Sequence, residues 1–302
     1  MSAAQIPSAF RTYGEETLPQ APAAGPGKRG VLEATLAREP GGRTRLVRDR
    51  VEVPYHLTGT LETDPAPGMT TLCAQEPTGG VAQGDRHRLA VDARDRARVH
   101  VTTQSATKVH SMTANYAHLE ARLRAGPGAH LEYLPGPTIV NEDARCLGTT
   151  RVDLAADATV IVSDVLVPDG LSEHEPFSFD HYHASLEARV EGDLVCADAV
   201  DLRPAERDPR DPASVGEYGV VGTLYALSPS VDAEVLADRL HERVASREDV
   251  LAGASRLPHG AGASVRVLGT RATDVEAAVR AAWDETRLEV LGVGTPADRR
   301  VP

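Results

Sequence analysis

The chain has 302 residues, of which 41% are hydrophobic but only 4% are aromatic, and it contains 26 glycines and 21 prolines. Its formal net charge is −12, from 44 acidic and 32 basic side chains, which argues against non-specific binding to nucleic acid or to an anionic membrane. The length allows two average domains or one large all-β domain, and the many turn residues together with few aromatics favour β structure.

The first 29 residues are predicted to be a poorly ordered leader, because "LPQAPAAGPGKRG" is rich in Pro, Ala and Gly and has no periodicity. The start of the chain lacks a basic segment followed by an apolar run, and no stretch approaches the roughly 18 apolar residues of a membrane span. We therefore expect a cytoplasmic protein with no membrane segment. The three cysteines share no C-x-x-C spacing and are expected to be reduced, mostly buried thiols.

From about residue 30 to residue 203 the sequence is a series of short runs separated by turn signals, and many runs alternate apolar with polar residues. In one run, Leu119, Ala121 and Leu123 alternate with charged residues, which is the period of a half-buried strand. The segments "RAGPGAHLEYL" and "DLAADATVIVSDV" share a layout of turn, small residue and strand. A stacked coil of strands would have this pattern.

The period changes after the polar, proline-rich segment "PAERDPRDPASV". A short strand, "VVGTLYAL", precedes a helix predicted at about 230–252 with Ser230 as its cap, and a second helix is predicted at 273–291 with Thr273 as its cap. A further strand, "ASVRVLG", lies between these helices. We expect one large, mainly β domain over residues 30–302, built as a helix-like coil of short β-strands with two α-helices near the C-terminus.

The most metal-like segment is "SEHEPFSFDHYHASLE". On a strand over residues 179–186, His181 and His183 would project from one face, where a carboxylate from a neighbouring strand could join them. Together with Glu175 they are the candidate ligands for a transient metal ion. A solvated polar loop followed by an ordinary edge strand explains the same residues, because H-x-H without two further ligands is a weak signal.

The segment "VTTQSATKVHSM" places five hydroxyl side chains and one lysine on a predicted strand. An exposed or half-buried face of an ordinary strand is one explanation, because threonine is common in strands. Hydroxyls that line an interior would instead form a wet path that coordinates an ion only weakly. The residues alone leave both explanations open.

Several segments, taken in order, resemble the urease accessory protein UreD family, which is called UreH in some species. The order of these motifs over about residues 31–295 is more specific than any single motif. The segments that carry the resemblance are "GGRTRLVRDR", "EPTGGVAQGDRHRLAV", "VTTQSATKVHSM", "GAHLEYLPGPTIV", "GEYGVVGTLYAL" and "SRLPHGAGASVRVLGTRATDVEAAVRAAWDETR".

The resemblance implies a coiled β fold and a non-catalytic chaperone of urease maturation. Such a protein binds the urease apoprotein, recruits its partners UreF and UreG, and conducts transient Ni²⁺ through a polar interior path, with no permanently bound cofactor. A dimer of accessory complexes is compatible with this implication. The alternative is a β-helical carbohydrate-active hydrolase or lyase, which would need two convergent carboxylates in a cleft.

The resemblance also implies roles for individual residues. Lys108 is expected to pair with a buried acid, and Glu132 is expected to pair with Arg151 inside the body. The residues implied to form a structural turn are Gly79, Gly80 and Gly84. The residues implied to line or support the nickel path are Asp85, Thr102, Thr103, Ser105, Thr107, Lys108, Glu132, Glu142 and Arg151.

Overall fold

The computed structural model describes residues 6–18, 27–168 and 175–297 and is mainly β, as the sequence predicts. The described helices are α1 (Ser8–Glu15), α2 (Ala233–Ala245) and α3 (Ala272–Leu291). The described strands, in chain order, are β1 (Arg29–Arg38), β2 (Thr44–Glu52), β3 (Thr60–Leu61), β4 (Met69–Ala74), β5 (Arg86–Ala93), β6 (Arg98–Thr103), β7 (Thr107–Val109), β8 (Ala117–Ala125), β9 (His130–Leu134), β10 (Thr138–Val140), β11 (Arg145–Leu154), β12 (Thr159–Pro168), β13 (His181–Val190), β14 (Asp193–Leu202), β15 (Val220–Leu227), β16 (Leu251–Arg256) and β17 (Gly262–Gly269).

The strands form two sheets that face each other. Sheet 1 has the order β14-β13-β11-β8-β5-β1-β2, and sheet 2 has the order β16-β17-β15-β12-β9-β6-β4-β3, with the short strand β10 pairing with both β12 and β7. The chain passes repeatedly from sheet 1 to sheet 2 and back, and successive strands within each sheet pair in parallel. Each turn of the chain therefore adds one strand to each sheet, which confirms the predicted helix-like coil.

Tight turns connect sheet 1 to sheet 2 and stack on one another. Gly126 N–H donates to the carbonyl of Ala93 at 2.8 Å, and Ala155 N–H donates to the carbonyl of Ala125 at 3.0 Å, so each turn is hydrogen-bonded to the one before it. Three of these turns end in a small, buried residue that packs closely in the core. These residues are Ala97, Ala129 and Ala158. The predicted layout of turn, small residue and strand is confirmed.

Antiparallel strands complete both sheets. In sheet 1, β2 pairs with β1 and β14 pairs with β13, whereas sheet 2 continues through β15, β17 and β16. Helices α2 and α3 pack on the outer face of this late part of sheet 2 and bury an apolar stripe. The buried helix residues include Leu236, Leu240, Val275, Val279 and Trp283.

The predicted helices exist, but their caps and the end of the first one are wrong. Helix α2 is capped by Asp232, whose side chain accepts hydrogen bonds from the N–H groups of Glu234 and Val235, rather than by Ser230. Residues from Leu251 onward form β16 instead of continuing the helix, because their backbone pairs with β17. Helix α3 begins one residue before the predicted cap Thr273, after Arg271, which makes no side-chain capping bond.

The N-terminal leader contains regular structure that the sequence analysis did not predict. Helix α1 lies on the outer face of sheet 1 and fully buries Phe10, whose ring lies 5.1 Å from that of Tyr116. Glu16, just after the helix, pairs with Arg145 of β11 at 2.8 Å. The Pro- and Ala-rich residues that suggested a lack of order lie between residues 18 and 27, outside the described residues.

Two simpler predictions hold, one for the strand β8 and one for the cysteines. On β8, Ala121 and Leu123 are buried, whereas Arg122 and Arg124 are exposed, which confirms the alternating pattern. Cys146 and Cys196 are buried and, like the partly buried third cysteine, are free thiols. No helix among the described residues is long and apolar enough to cross a membrane.

Candidate functional site

A cavity with a volume of about 150 Å³ lies between the two sheets. Its walls include apolar side chains from the core that joins the inner faces of the sheets, such as Leu89 and Val162. Polar side chains from both sheets and from the connection between β6 and β7 complete the lining. Those that carry hydroxyl groups include Thr103, Ser105, Thr107, Thr150, Ser163 and Thr223.

The hydroxyl-rich segment forms part of this lining, although it is not one continuous strand. Strand β6 ends at Thr103 and β7 begins at Thr107, so three residues interrupt the predicted strand. Thr103 Oγ1 donates to the carbonyl of Ser105 and accepts from the N–H of Gly136, both at 2.8 Å. These bonds hold the interruption in shape and place Thr103, Ser105 and Thr107 at the cavity. Thr102 lies outside the lining and donates to the backbone at 2.9 Å.

Three other residues implied for the nickel path lie elsewhere. Lys108 is exposed at the surface, so its expected pairing with a buried acid is wrong. Arg151 is on β11 beside Arg122 of β8, and the cavity is lined by its neighbour Thr150 instead. Glu142 lies in the turn between β10 and β11, away from the cavity lining.

Glu132 is fully buried on the face of sheet 2 that α3 covers. Its carboxylate lies 3.0 Å from His100 Nδ1 and 2.7 Å from His130 Nε2, and Arg287 Nε of α3 is 3.6 Å away. Burial by itself would raise the pKa of Glu132, but the hydrogen bonds from the two histidines outweigh it and hold this pKa well below its ordinary range. The expected pair with Arg151 is therefore wrong, because the arginine partner of Glu132 is Arg287.

Asp85 is also fully buried, and its carboxylate ties the N-terminal leader to the coil. Oδ1 accepts hydrogen bonds from the N–H groups of Gly27 and Lys28 at 2.9 and 2.8 Å, and Oδ2 accepts from Ala82 at 2.9 Å. The ammonium group of Lys28 lies 3.2 Å from Oδ2. With N–H donors on both oxygens, Asp85 has a structural role; it lies outside the cavity lining, and its implied part in lining or supporting the nickel path stays a prediction.

The neighbouring glycines form the turn that the resemblance implies. Gly79, Gly80 and Gly84 have φ angles of 82°, 129° and 77°. Gly80 is the one of the three that lies against backbone, because a Cβ at this position would lie 2.3 Å from the carbonyl oxygen of Lys108. This close approach is needed for Val81 N–H to donate to the same carbonyl at 2.8 Å.

A carboxyl group that the sequence analysis did not single out lies in the cavity wall. Asp164 of β12 accepts a hydrogen bond at 3.0 Å from the hydroxyl of Tyr182 on β13, so this bond joins sheet 2 to sheet 1. Burial raises the pKa of Asp164, while the bond from Tyr182 and the charge of Arg266 partly offset that effect. Its sequence signal is the single charged residue inside the apolar run "TVIVSDVLV".

A second polar bridge joins the sheets beside the first. Tyr225 of β15 donates its hydroxyl to Asp198 of β14 at 2.7 Å, and Arg266 of β17 also hydrogen-bonds Asp198. Arg266 donates to Thr223 Oγ1 at 2.8 Å as well. Burial raises the pKa of Tyr225, so its phenol remains a hydrogen-bond donor at neutral pH. Both bridges hold the two cavity walls at a fixed separation.

The predicted histidine pair lies on the opposite side of sheet 1. His181 and His183 face away from the cavity, and Asp201 of the neighbouring β14 lies 3.3 Å from His181 Nε2 and 3.0 Å from His183 Nδ1. The predicted convergence of two imidazoles with a carboxylate from a neighbouring strand is confirmed. Burial lowers the pKa of His181 to about 4. The guanidinium of Arg203 donates to His181 Nε2 at 3.2 Å, and Phe10 of α1 covers the His181 ring at 4.3 Å.

Glu175 does not join this cluster. It is exposed and lies 3.6 Å from Arg210. Glu173 and His174, which belong to the same histidine-rich segment, lie outside the described residues.

Comparison with known proteins identifies the family. The profile described as UreD urease accessory protein matches residues 28–301. The chain belongs to the UreD family. The urease accessory protein UreD of Natronomonas pharaonis is 69% identical over 295 residues, which cover 98% of this chain and 99% of that protein. The UreD of Haloquadratum walsbyi is 58% identical over 295 residues, which cover 98% of this chain and 97% of that protein. The urease accessory protein UreD 2 of Streptomyces griseus is 35% identical over 281 residues, which cover 92% of this chain and 95% of that protein.

The UreD motif residues thus occupy separate places in the fold. The hydroxyl segment lines the cavity, the glycine-aspartate motif joins the leader to the coil, and Glu132 lies beneath α3. Periodicity predicted the histidine pair and the family resemblance implied the hydroxyl lining, but neither pointed to Asp164, whose place in the cavity depends on how the two sheets face each other.

Proposed function

We propose that this UreD-family protein is a non-catalytic chaperone of urease maturation that binds apo-urease, recruits UreF and UreG, and passes Ni²⁺ along the cavity between its sheets. Family membership supports the role in urease maturation. The hydroxyl and carboxyl groups in the lining of the cavity support the passage of an ion. The cytoplasm, where urease would be assembled, is the compartment that we assign to it.

Asp164 is the observation that carries the nickel path. A carboxylate enclosed by protein attracts a divalent cation more strongly than an exposed one, because the surrounding dielectric is low. Glu76 and Glu120 also line the cavity, and neutral oxygens such as those of Thr103 and Thr107 would hold nickel only weakly. A few carboxylates among many weak ligands would favour entry and still permit release.

The raised pKa of Asp164 makes the proposed nickel transfer sensitive to pH. A metal ion binds the ionised carboxylate, so nickel and a proton compete for Asp164, and burial favours the proton. Transfer is therefore expected to be faster at higher pH, until ionisation of the carboxyl group is complete.

The test is the nickel content of urease co-expressed with its accessory proteins and with either the native chain or a variant of it. We expect Asp164→Asn, and separately the pair Thr103→Val with Thr107→Val, to yield assembled urease with less nickel while the chain still co-purifies with UreF. Asp153→Asn is the matched control. Asp153 is exposed on β11, so this substitution makes the same change of charge outside the cavity.

Normal nickel loading in the Asp164→Asn strain would refute the proposed path. Normal loading in a strain that lacks the chain altogether would refute the maturation role as well. The hydrolase or lyase alternative predicts turnover by the purified chain alone, whereas a chaperone is inert toward glycosides and urea.

A further inference from the structure

The cluster of His181, His183 and Asp201 is separate from the proposed nickel path. Alternate residues of a strand face opposite sides of a sheet, and Tyr182 and Leu186 of β13 line the cavity. The two histidines therefore project from the outer face of sheet 1, where α1 packs. A ligand bound at this cluster would be independent of the proposed passage of nickel between the sheets.

We propose that His181 Nε2, His183 Nδ1 and the carboxylate of Asp201 form a binding site for a divalent transition-metal ion, and that Arg203 occupies the cation position in the metal-free protein.

The donor atoms already have the separations that such an ion requires. One donor atom from each of the three side chains lies within 4.8 Å of the others. Metal-ligand bonds of about 2.0–2.2 Å place neighbouring donors about 3–4 Å apart, so only small side-chain movements would be needed. His183 and Asp201 are directly opposite each other in the β13–β14 pair, so the sheet backbone fixes two of the three ligands.

Arg203 shows where the ligand lone pairs point. Its Nε donates to His181 Nε2 at 3.2 Å and to Asp201 Oδ1 at 3.0 Å. Nε2 must therefore present its lone pair, not a proton, toward the centre of the cluster. The guanidinium bonds to the two groups that would bind a metal ion, and it belongs to a partly exposed side chain that can move aside.

Packing alone does not account for the imidazole of His181. The side chain is fully buried, and its Nδ1 has no hydrogen-bond partner among the described residues. A buried polar atom without a partner is unfavourable, and an apolar side chain against Phe10 would avoid that cost. The ring is thus better explained by the use of its other nitrogen.

The ligand set indicates the class of metal. Two imidazoles and one carboxylate suit Ni²⁺, Zn²⁺ or Cu²⁺, whereas Mg²⁺ and Ca²⁺ prefer oxygen ligands alone. His181 is closed off beneath α1, but Asp201 is 38% exposed, so an ion can enter from that side and complete its coordination with water. Because the ion must displace a guanidinium, its affinity is limited by Arg203.

The experiment is equilibrium dialysis of the purified full-length chain against Ni²⁺, Zn²⁺, Co²⁺ and Mg²⁺, combined with the visible absorption of bound Co²⁺. We expect this site to bind the first three ions but not Mg²⁺. His183→Gln and Asp201→Asn should each weaken Ni²⁺ binding at this site by at least about tenfold, because each removes one of three ligands. Arg203→Gln should instead strengthen it by about three- to tenfold, because a competing cation is removed.

Matched variants separate this site from other metal-binding groups. His259→Gln changes an exposed histidine in the turn at Pro258–Gly260 and should leave the affinity unchanged. Asp164→Asn, in the cavity, should also leave this site intact, so failure of the proposed path and failure of the present site are distinguishable.

The site is refuted if the native chain binds no Ni²⁺ at about millimolar concentration, or if His183→Gln and Asp201→Asn both bind as the native chain does. Weaker binding in Arg203→Gln would overturn the assignment of Arg203 as the competing cation. That variant replaces a partly exposed side chain and gives a gain of binding, so it remains informative even if a ligand variant is poorly folded.

Discussion

Replacement of Arg287 by methionine should greatly destabilise the protein. Arg287 and Asp64 are both 0% exposed, and the guanidinium bonds the carboxylate through Nη1 at 3.0 Å and Nη2 at 2.5 Å. Its Nε also lies 3.6 Å from the buried carboxylate of Glu132. Methionine has similar length but no charge, so it would leave two buried carboxylates without their guanidinium.

We expect a loss of about 3–5 kcal/mol in the free energy of unfolding, the usual cost of removing one partner from a buried ion pair. The matched control is Arg256→Met. Arg256 and Glu234 form a pair at 3.4 Å but are 63% and 71% exposed, so that loss should stay below about 1 kcal/mol.

The assay is urea unfolding at constant salt, followed by circular dichroism and by the fluorescence of Trp283, the sole tryptophan, whose ring centre lies 5.5 Å from the guanidinium carbon of Arg287. A loss below about 1 kcal/mol for Arg287→Met would refute the reasoning, because it would show that Asp64 and Glu132 do not need the guanidinium.

Three further predictions concern the turn, the cavity and pH. Gly80→Ala should lower the free energy of unfolding by about 3 kcal/mol or more, and Gly79→Ala should lower it by about 1 kcal/mol. Both glycines have positive φ, but of the two only Gly80 lies against a backbone oxygen. Equal decreases in urea unfolding would contradict this reasoning. Tyr182→Phe removes the hydroxyl that donates to Asp164, and it raises the pKa of that carboxyl group further. The free energy of unfolding should fall by about 1–3 kcal/mol, and by more at pH 8 than at pH 5, because the bond stabilises the ionised carboxylate. A decrease that does not depend on pH would contradict this role of the bond. Burial lowers the pKa of His118 to about 4, below its unfolded value of 6.5. The contribution of His118 to stability should therefore be complete above pH 6.5 and be lost as the pH falls toward 4. His118→Gln should make the free energy of unfolding depend less on pH in this range, and an unchanged pH dependence would show that other groups cause it.

Local periodicity was sufficient for those features that depend on neighbouring residues. The alternation on β8 followed from the two-residue period of a strand, and so did the common face of His181 and His183. Asp201, which completes that cluster, lies only 18 residues beyond His183 in a hairpin. The sequence therefore predicted that a carboxylate from a neighbouring strand could join the two histidines, but it did not identify that carboxylate as Asp201.

Contacts between residues that are far apart in sequence could not be predicted from local sequence pattern. Arg287 and Asp64 are 223 residues apart in sequence, so no window of sequence relates them. The family resemblance assigned Glu132 to the interior path, but the position of α3 decides which face of sheet 2 is covered. It assigned Asp85 there too, and the partners of Asp85 are backbone N–H groups and the ammonium group of Lys28, which local sequence pattern does not identify.

The docking of α1 onto sheet 1 has a consequence for folding during synthesis. Phe10 packs on His181, and Glu16 pairs with Arg145, which follows it by 129 residues. Ribosomes add roughly 5–20 residues per second, so α1 must wait on the order of ten seconds after its own synthesis for its binding surface to be made. Until then its aromatic side chains are available to chaperones or to wrong partners, and α1 can dock only after β11 and β13 have been made.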